Sequence, residues 1–196
     1  LYTNYKSESA IFSTTTQKIW FIVLIFVSLF SPFYLSNYWM LLLTTSLLIA
    51  IASWGLNIVS GMAGQINLAH GVFVGVGTYT SAVLGGVATS SVIGFELDMI
   101  LWLPISGAAA ALVGILFSPV SARLKGLNLG LVTLAIVFIG SHFFSNLKFI
   151  TGGAGLGRKA AKLKFLGVDL DSGITLGNLI FDKNDVIYYF SLILCI

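Results

Sequence analysis

A run from Ile19 to Phe95 contains no Lys, Arg, Asp or Glu, and this absence of charge constrains the fold more than any other feature. The run is several times longer than the ~20 apolar residues that one transmembrane helix requires. The whole chain is 57% hydrophobic and 9% charged, whereas a soluble domain carries roughly a quarter charged residues. The sequence therefore predicts an all-α, polytopic transmembrane protein.

Several other classes are disfavoured by the same composition. None of the polar stretches in the 196 residues is long enough to build a second, soluble domain. The net charge of +3 is modest and reports on loop orientation, so we expect no nucleic-acid partner. The chain does not begin with Met, and its last apolar run ends at Ile196, short of a full span. We therefore expect a fragment of a longer protein.

Apolar runs divide the chain into an N-terminal segment, residues 1–17, and a membrane domain, residues 18–196. A signal peptide is an alternative for the first run, because basic residues precede it. That run is long for a signal core and lacks a small-residue cleavage site, so we interpret it as a span. The predicted spans are residues 19–35, 38–59, 67–88, 99–122, 128–146 and 186–196, the last one truncated.

The stretch Gly55–Thr80 combines glycines with polar side chains inside the uncharged run. Such groups cost free energy in hydrocarbon, because no water is present to satisfy their hydrogen bonds. They are tolerated where the backbone is buried in protein or lines a cavity. The sequence therefore predicts a discontinuous helix around residues 60–67 beside a translocation path. The polar residues assigned to this path are Asn57, Gln65, Asn67 and His70.

Each of these residues has an alternative role. Gln65 and Asn67 are predicted to line or gate the path, but Asn67 is equally suited to cap the third span. His70 either takes part in the path or bridges two helices as a neutral side chain. Asn57 is suited to satisfying backbone groups that the break leaves free.

Small residues recur along one face of the third span. They include a GxxxG pair at Gly71 and Gly75, followed by Thr78, Ala82 and Gly86. In membranes such a stripe allows a second helix backbone to approach closely. We therefore interpret these residues as helix-packing positions.

Basic residues in short loops predict the orientation. With the N-terminus in the cytoplasm, Arg123 and Lys125 lie inside, where they are suited to anchoring the fourth span at lipid headgroups. Glu96 and Asp98 then lie outside. The loop of residues 147–185 also lies outside, although it carries six basic residues, and this assignment conflicts with the rule.

That long loop opens with TGGAGLGRKA, which fails two nucleotide-binding patterns. Arg158 and Lys159 stand where a phosphate-binding loop needs Lys and then Ser or Thr, and Arg158 stands where a dinucleotide motif needs Gly. We expect a tight turn instead. In the KLKFLGVDL segment that follows, Leu163, Phe165 and Leu166 are suited either to lying on the bilayer or to short strands.

Catalysis finds little support in the sequence. His70 and His142 are far apart, and the chain has one cysteine, Cys195, and no HExxH motif. No Asp or Glu falls within a predicted span before residue 186. We therefore expect no catalytic residues, no metal site and no cofactor on this chain.

Three blocks of the sequence resemble the branched-chain amino-acid ABC importer permeases of the LivM type. The first, GLNIVSGMAGQINLAHGVFVGVGTYTSAVL, is similar to their signature, with Ala69 in place of Gly and Thr78 in place of Ala. The second, ARLKGLNLGLVTLAIVFI, is similar to their RLRGxYLAIVTLAF, with Asn128 in place of Tyr and Gly130 in place of Ala. The third is TGGAGLG. They lie in the family's order within residues 55–157, a stretch of about half of the chain.

The resemblance implies an inner-membrane permease subunit without ATPase activity of its own. It implies a second homologous permease, two cytosolic ATPase subunits that bind ATP and Mg, and an external solute-binding protein. Thr151, Gly152 and Gly153 would then be candidates for contact with the binding protein, and Arg123 and Lys125 for contact with an ATPase. Branched-chain or related amino acids are the expected solutes; urea or short amides on the same scaffold, or an ATP-independent secondary transporter, are the alternatives.

Overall fold

A computed structural model describes residues 14–124, 126–153, 157–165, 167–170, 174–176, 179–181 and 183–195. Within these residues, four helical segments are long and apolar enough to cross a membrane: Thr15–Phe33, Asn37–Met62, Met99–Arg123 and Leu127–Asn146. The prediction of a polytopic helical membrane protein is therefore confirmed.

The helices are α1 (Thr15–Phe30), α2 (Asn37–Asn57), α3 (His70–Gly85), α4 (Met99–Arg123), α5 (Leu127–Asn146), α6 (Lys148–Thr151) and α7 (Lys183–Cys195). A 3-10 helix at Ser31–Phe33 follows α1, and a π-helix at Ile58–Met62 extends α2. The strands are β1 (Lys164–Phe165), β2 (Val168–Asp169), β3 (Ile174–Leu176) and β4 (Leu179–Phe181).

The strands form two antiparallel hairpins. Lys164 pairs with Asp169 in the first hairpin, and Ile174 pairs with Phe181 in the second. Of the two alternatives for the KLKFLGVDL segment, the structure therefore contains short strands; Leu166 lies outside the described residues.

The third helix is shorter than the predicted span of residues 67–88. It has 16 residues, or about 24 Å at 1.5 Å per residue, less than the ~30 Å of a hydrocarbon core. Gly86, just beyond its end, has extended backbone angles. The residues at each end of the predicted span are therefore non-helical, and those before His70 form the break described below.

The helices pack in two groups. In one group α2 lies against α7, with Met40, Tyr188 and Leu192 buried between them. In the other, α3 packs against α4, where the rings of Phe73 and Phe117 meet edge to face at 6.3 Å. The break between α2 and α3 connects the two groups.

Two tyrosines of α7 bind the end of α1. Pro32 has no N–H, so it cannot donate to the carbonyl of Ser28 as the next helical residue would. The hydroxyl of Tyr188 donates to Ser28 O at 3.0 Å, alongside the Ser31 hydroxyl, and the hydroxyl of Tyr189 donates to Leu29 O at 2.8 Å. These bonds join α7 to the C-terminal end of α1.

A Tyr188→Phe, Tyr189→Phe double variant should therefore be less stable. Loss of two hydroxyl donors is expected to cost about 1–3 kcal/mol, seen as a lower midpoint of thermal unfolding for the full-length protein in detergent. Tyr38→Phe is the matched control, because the Tyr38 side chain is 65% exposed. Equal midpoints for the double variant and the control would contradict this assignment.

Candidate functional site: a helix break between two cavities

The break begins where α2 widens into the π-helix. The N–H of Ala63 donates to Ile58 O, and the N–H of Gln65 donates to Val59 O, each at 3.2 Å. Gly64 then adopts φ 63°, a left-handed conformation that glycine accepts without a steric penalty. Residues 64–67 have no regular secondary structure, so the predicted discontinuous helix around residues 60–67 is confirmed.

The chain then doubles back along α2. His70, the first residue of α3, donates from Nε2 to the carbonyl of Ala52 at 2.9 Å; a carbonyl only accepts, so Nε2 carries the proton. Ala52 precedes Met62 by about ten residues, or about 15 Å along a helix. Therefore α3 starts beside the middle of α2, and the non-helical segment lies at membrane depth. The bond joins α3 to α2, and the role of His70 in the path stays a prediction.

A cavity of about 410 Å³, here called the break cavity, lies between the break, the C-terminal half of α4 and the N-terminal half of α5. None of the described residues that line it is charged. The rings of Phe73 and Phe117 form part of its wall. Its polar lining residues are Gln65, Asn67, His70, Ser118, Ser121 and Thr133. Three of the four predicted path residues therefore meet at one cavity.

The fourth, Asn57, lies elsewhere. Its side chain is exposed and is not among the residues that line the break cavity. A Cβ atom built on Gly61 would collide with Asn57 Oδ1, so the amide folds over the π-helix. The Asn57 side chain therefore lies against the π-helix and outside the break cavity.

Asn67 organises the turn into α3. Its Oδ1 accepts a hydrogen bond from the N–H of Ala69 at 3.0 Å, while Asn67 itself stays half-buried at the cavity. The N-cap position is Ala69, and no side chain caps the helix. Asn67 thus stabilises the turn two residues before the cap, while lining the break cavity.

Thr133 in α5 forms a hydrogen bond with the segment that follows the break. This residue was not predicted from the sequence. Its hydroxyl donates to Gly130 O at 2.9 Å and accepts from the N–H of Leu68 at 3.3 Å. The residue is 7% exposed. Thr133 lies within the second family-like block, but nothing in its local pattern distinguishes it from other hydroxyls in the spans, which commonly bond within their own helix.

A second cavity, of about 660 Å³, lies between α3 and α5 and is here called the α3–α5 groove. Its walls include Tyr79, Ser141 and Ser145. Leu68 and Gly71 line this groove, whereas Asn67, Ala69 and His70 line the break cavity. Residues 67–71 therefore lie between two cavities, of which the break cavity borders the N-terminal half of α5 and the groove borders its C-terminal half.

Comparison with known proteins identifies the family. Residues 38–195 match the family described as "Branched-chain amino acid transport system / permease component". The chain belongs to this family. It is 33% identical over 141 residues to the "High-affinity branched-chain amino acid transport system permease protein LivM" of Escherichia coli (strain K12), and 31% identical to the protein of the same name from Salmonella typhimurium. Each match covers 72% of this chain and 32% of the relative, and no solved structure matches significantly.

The small-residue stripe of this permease-family chain packs closely on α5 at Gly75. A Cβ atom on Gly75 would lie 2.7 Å from Phe144 Cε2, whereas one on Gly71 would meet no atom within 4 Å. Ala82 is buried. Gly86 lies just beyond the helix, where a Cβ atom would approach Arg158 Nη2 at 3.1 Å. The stripe therefore packs at Gly75 and is open at Gly71, which borders the α3–α5 groove.

The TGG element of the permease forms a tight turn after α5. Thr151 is 2% exposed, and its hydroxyl donates to Leu147 O and accepts from the N–H of Gly153. Gly152 and Gly153 have φ of 83° and 77°, which favour glycine. The Thr151 side chain thus serves the turn itself. Gly152 and Gly153 are half-buried, so their backbone is the part of this element that an external protein could contact.

The remaining sequence candidates of the permease lie away from the break. Arg123 is the exposed last residue of α4, whose C-terminal half borders the break cavity, and Lys125 lies outside the described residues. His142 is exposed and contacts Asn146 within α5. Within the described part of the chain, no three His, Cys, Asp or Glu side chains are grouped closely enough to hold a metal ion.

Proposed function

We propose that this chain is part of the permease subunit of an ABC importer that carries branched-chain or related amino acids. The observation that carries the proposal is the break at membrane depth, lined by uncharged polar groups, in a chain of the branched-chain amino-acid permease family. Both relatives are named as parts of high-affinity branched-chain amino acid transport systems. The chain matches about a third of their length.

The path runs through the α3–α5 groove, past residues 67–71, and into the break cavity. Amide, hydroxyl and imidazole groups offer donors and acceptors to both ends of a zwitterion without a fixed charge. A site of this kind binds the solute weakly enough to release it, as passage requires. Gln65, Asn67 and His70 supply these groups at the point where the two cavities approach each other.

The orientation places the N-terminus in the cytoplasm, with residues 86–98 and 147–165 outside. These two loops lie at one end of the molecule: the N–H of Ile93 donates to Phe149 O, and Lys164 Nζ lies 4.0 Å from Glu96. Among the six basic side chains of residues 147–185, Arg158 bonds two backbone carbonyls and Lys164 faces Glu96, and these partners within the fold support an outside position despite the charge. Arg123 marks the opposite end and is proposed to meet lipid headgroups or an ATPase.

The partners follow from the same proposal. A second, homologous permease completes the membrane unit, two cytosolic ATPases supply the energy from ATP and Mg, and an external binding protein delivers the solute. ATP hydrolysis takes place on the ATPases, and this chain supplies the passage.

The test uses cells that carry the complete transporter with full-length permease. Gln65→Ala and His70→Ala variants should take up labelled leucine about tenfold more slowly, since each loses a hydrogen-bonding group worth roughly 1.4 kcal/mol. Asn57→Ala is the matched control and should retain uptake, because Asn57 lies outside the break cavity.

Three outcomes would contradict the proposal. Parental uptake by the Gln65 and His70 variants, at equal amounts in the membrane, would remove these residues from the path. Uptake that survives ATP depletion would indicate a secondary transporter. Faster uptake of urea than of leucine would indicate an amide permease on the same scaffold.

A further inference from the structure

The helices α3, α4 and α5 together give the break cavity an apolar side. Phe73 of α3 and Phe117 of α4 meet there edge to face, with a centroid distance of 6.3 Å. On α5, Leu129 and Ile136 line the cavity at 4% and 8% exposure. These two residues are seven positions apart, or about two helical turns, so they lie on the same face of α5. The apolar side of the cavity is therefore built from three helices and is buried along α5.

Two of the three hydroxyl groups in the cavity lining are bonded within their own helices. The hydroxyl of Ser121 donates to Phe117 O at 3.1 Å, and the hydroxyl of Thr133 donates to Gly130 O at 2.9 Å. Each hydroxyl has a single hydrogen, so only acceptor capacity remains. The lining therefore offers hydrogen bonds to a solute chiefly from the break, through the side-chain amides of Gln65 and Asn67.

Gly114 of α4 leaves open space on the apolar side. It lines the break cavity three residues, or about one helical turn, before Phe117. A Cβ atom built on Gly114 would meet no neighbouring atom within 4 Å. The cavity volume of about 410 Å³ falls in the range of roughly 300–1,000 Å³ that is usual for small-molecule pockets. A side chain at residue 114 would therefore reduce the space next to Phe117 without colliding with the protein.

We propose that the break cavity selects the solute by the size of its side chain, and that Gly114 is the specificity-determining residue. The branched apolar side chain of the solute lies in the space beside Gly114, against Phe117 and Ile136. Its amino and carboxylate groups bind at the amides of Gln65 and Asn67. This inference rests on the proposed function, in that the break cavity is part of the path. It adds a basis for selection among solutes, because one methylene in an apolar pocket discriminates about 10- to 200-fold.

The experiment compares leucine with valine, which is one methylene smaller. The complete transporter with full-length permease is reconstituted in proteoliposomes with ATP and with saturating binding protein that carries one labelled solute or the other. Gly114→Val should lower leucine uptake about tenfold and valine uptake about threefold or less, so the leucine-to-valine ratio falls. Both rates come from one permease preparation. Loss of folded protein and the preference of the binding protein therefore cancel when this ratio is compared with that of the parent.

Gly107→Val is the matched control. Gly107 lies in the same helix, and a Cβ atom there also meets nothing within 4 Å, but it is not among the described residues that line the break cavity. The loss of helix propensity is the same at both positions. The control should therefore keep the parental leucine-to-valine ratio. Gly114→Ala adds a single methyl group and should give a smaller fall in the ratio, which keeps the test decisive if the valine variant does not assemble.

The outcomes separate this inference from the proposed function. A parental leucine-to-valine ratio in the Gly114 variants, or an equal fall in Gly107→Val, would overturn the inference and leave the proposed function standing. A parental transporter that takes up neither solute when ATP is supplied would overturn the proposed function, and the inference with it.

Discussion

A Thr133→Val variant is expected to take up leucine at about one tenth of the parental rate. Valine has the same shape as threonine but no hydroxyl, so the N–H of Leu68 loses its partner at membrane depth. This hydrogen bond is part-buried, and leaving its donor unpaired costs about 1–3 kcal/mol, which corresponds to roughly 5- to 150-fold. The segment of residues 67–71 would then leave its position between the two cavities. Uptake per amount of permease in the membrane measures the effect.

Thr133→Ser is the matched control, because serine retains the hydroxyl that bonds Leu68 N and Gly130 O. Its uptake should stay within about twofold of the parent. Valine and serine variants with equal uptake would show that the hydroxyl does not position the break.

A Gly75→Leu variant is expected to lower the unfolding temperature of the permease by several degrees. Even the first added carbon would lie 2.7 Å from the ring of Phe144, which also packs on Tyr79 at a centroid distance of 4.9 Å. Overpacking of this kind costs about 1–3 kcal/mol. Thermal unfolding of the full-length protein in detergent measures the change.

Gly71→Leu tests the same motif at its open position. A Cβ atom there meets nothing within 4 Å, so the unfolding temperature should change little. If Gly71→Leu destabilises the protein as much as Gly75→Leu does, the glycine pair packs in a way that differs from this structure.

The membrane-protein class and the break between α2 and α3 were predictable from the sequence, because both depend on local chemistry. A run without charge indicates membrane helices wherever it occurs, and amides among glycines indicate a non-helical segment. Gln65, Asn67 and His70 line one cavity, as expected for polar residues that are close in the chain. Asn57 was grouped with them for the same reason, but the π-helix turns its side chain away.

Contacts between distant parts of the chain were not predictable. Thr133 meets Leu68 across 65 residues, and Tyr188 meets Ser28 across 160. Nearly every membrane helix is apolar on all sides, so periodicity does not identify which face meets which neighbour. The sequence therefore predicted the same packing role for Gly71 and Gly75, although of these two only Gly75 has a close neighbour in α5.

The basic residues of the long loop show a related limit. Counting charges treats each of them as free to face the cytoplasm. Arg158 instead bonds two backbone carbonyls, and Lys164 faces Glu96. A basic side chain that has a partner within the fold is a weaker indicator of membrane orientation than one that has none.

The most direct measurement is the water accessibility of the break in the assembled transporter. With all other cysteines replaced, an Asn67→Cys permease should react with a small hydrophilic thiol reagent, and leucine with its binding protein should slow the reaction. Leu131→Cys, on an exposed apolar face of α5, should stay unreactive in the membrane. An Asn67→Cys side chain as unreactive as Leu131→Cys, with or without solute, would contradict a polar passage at the break.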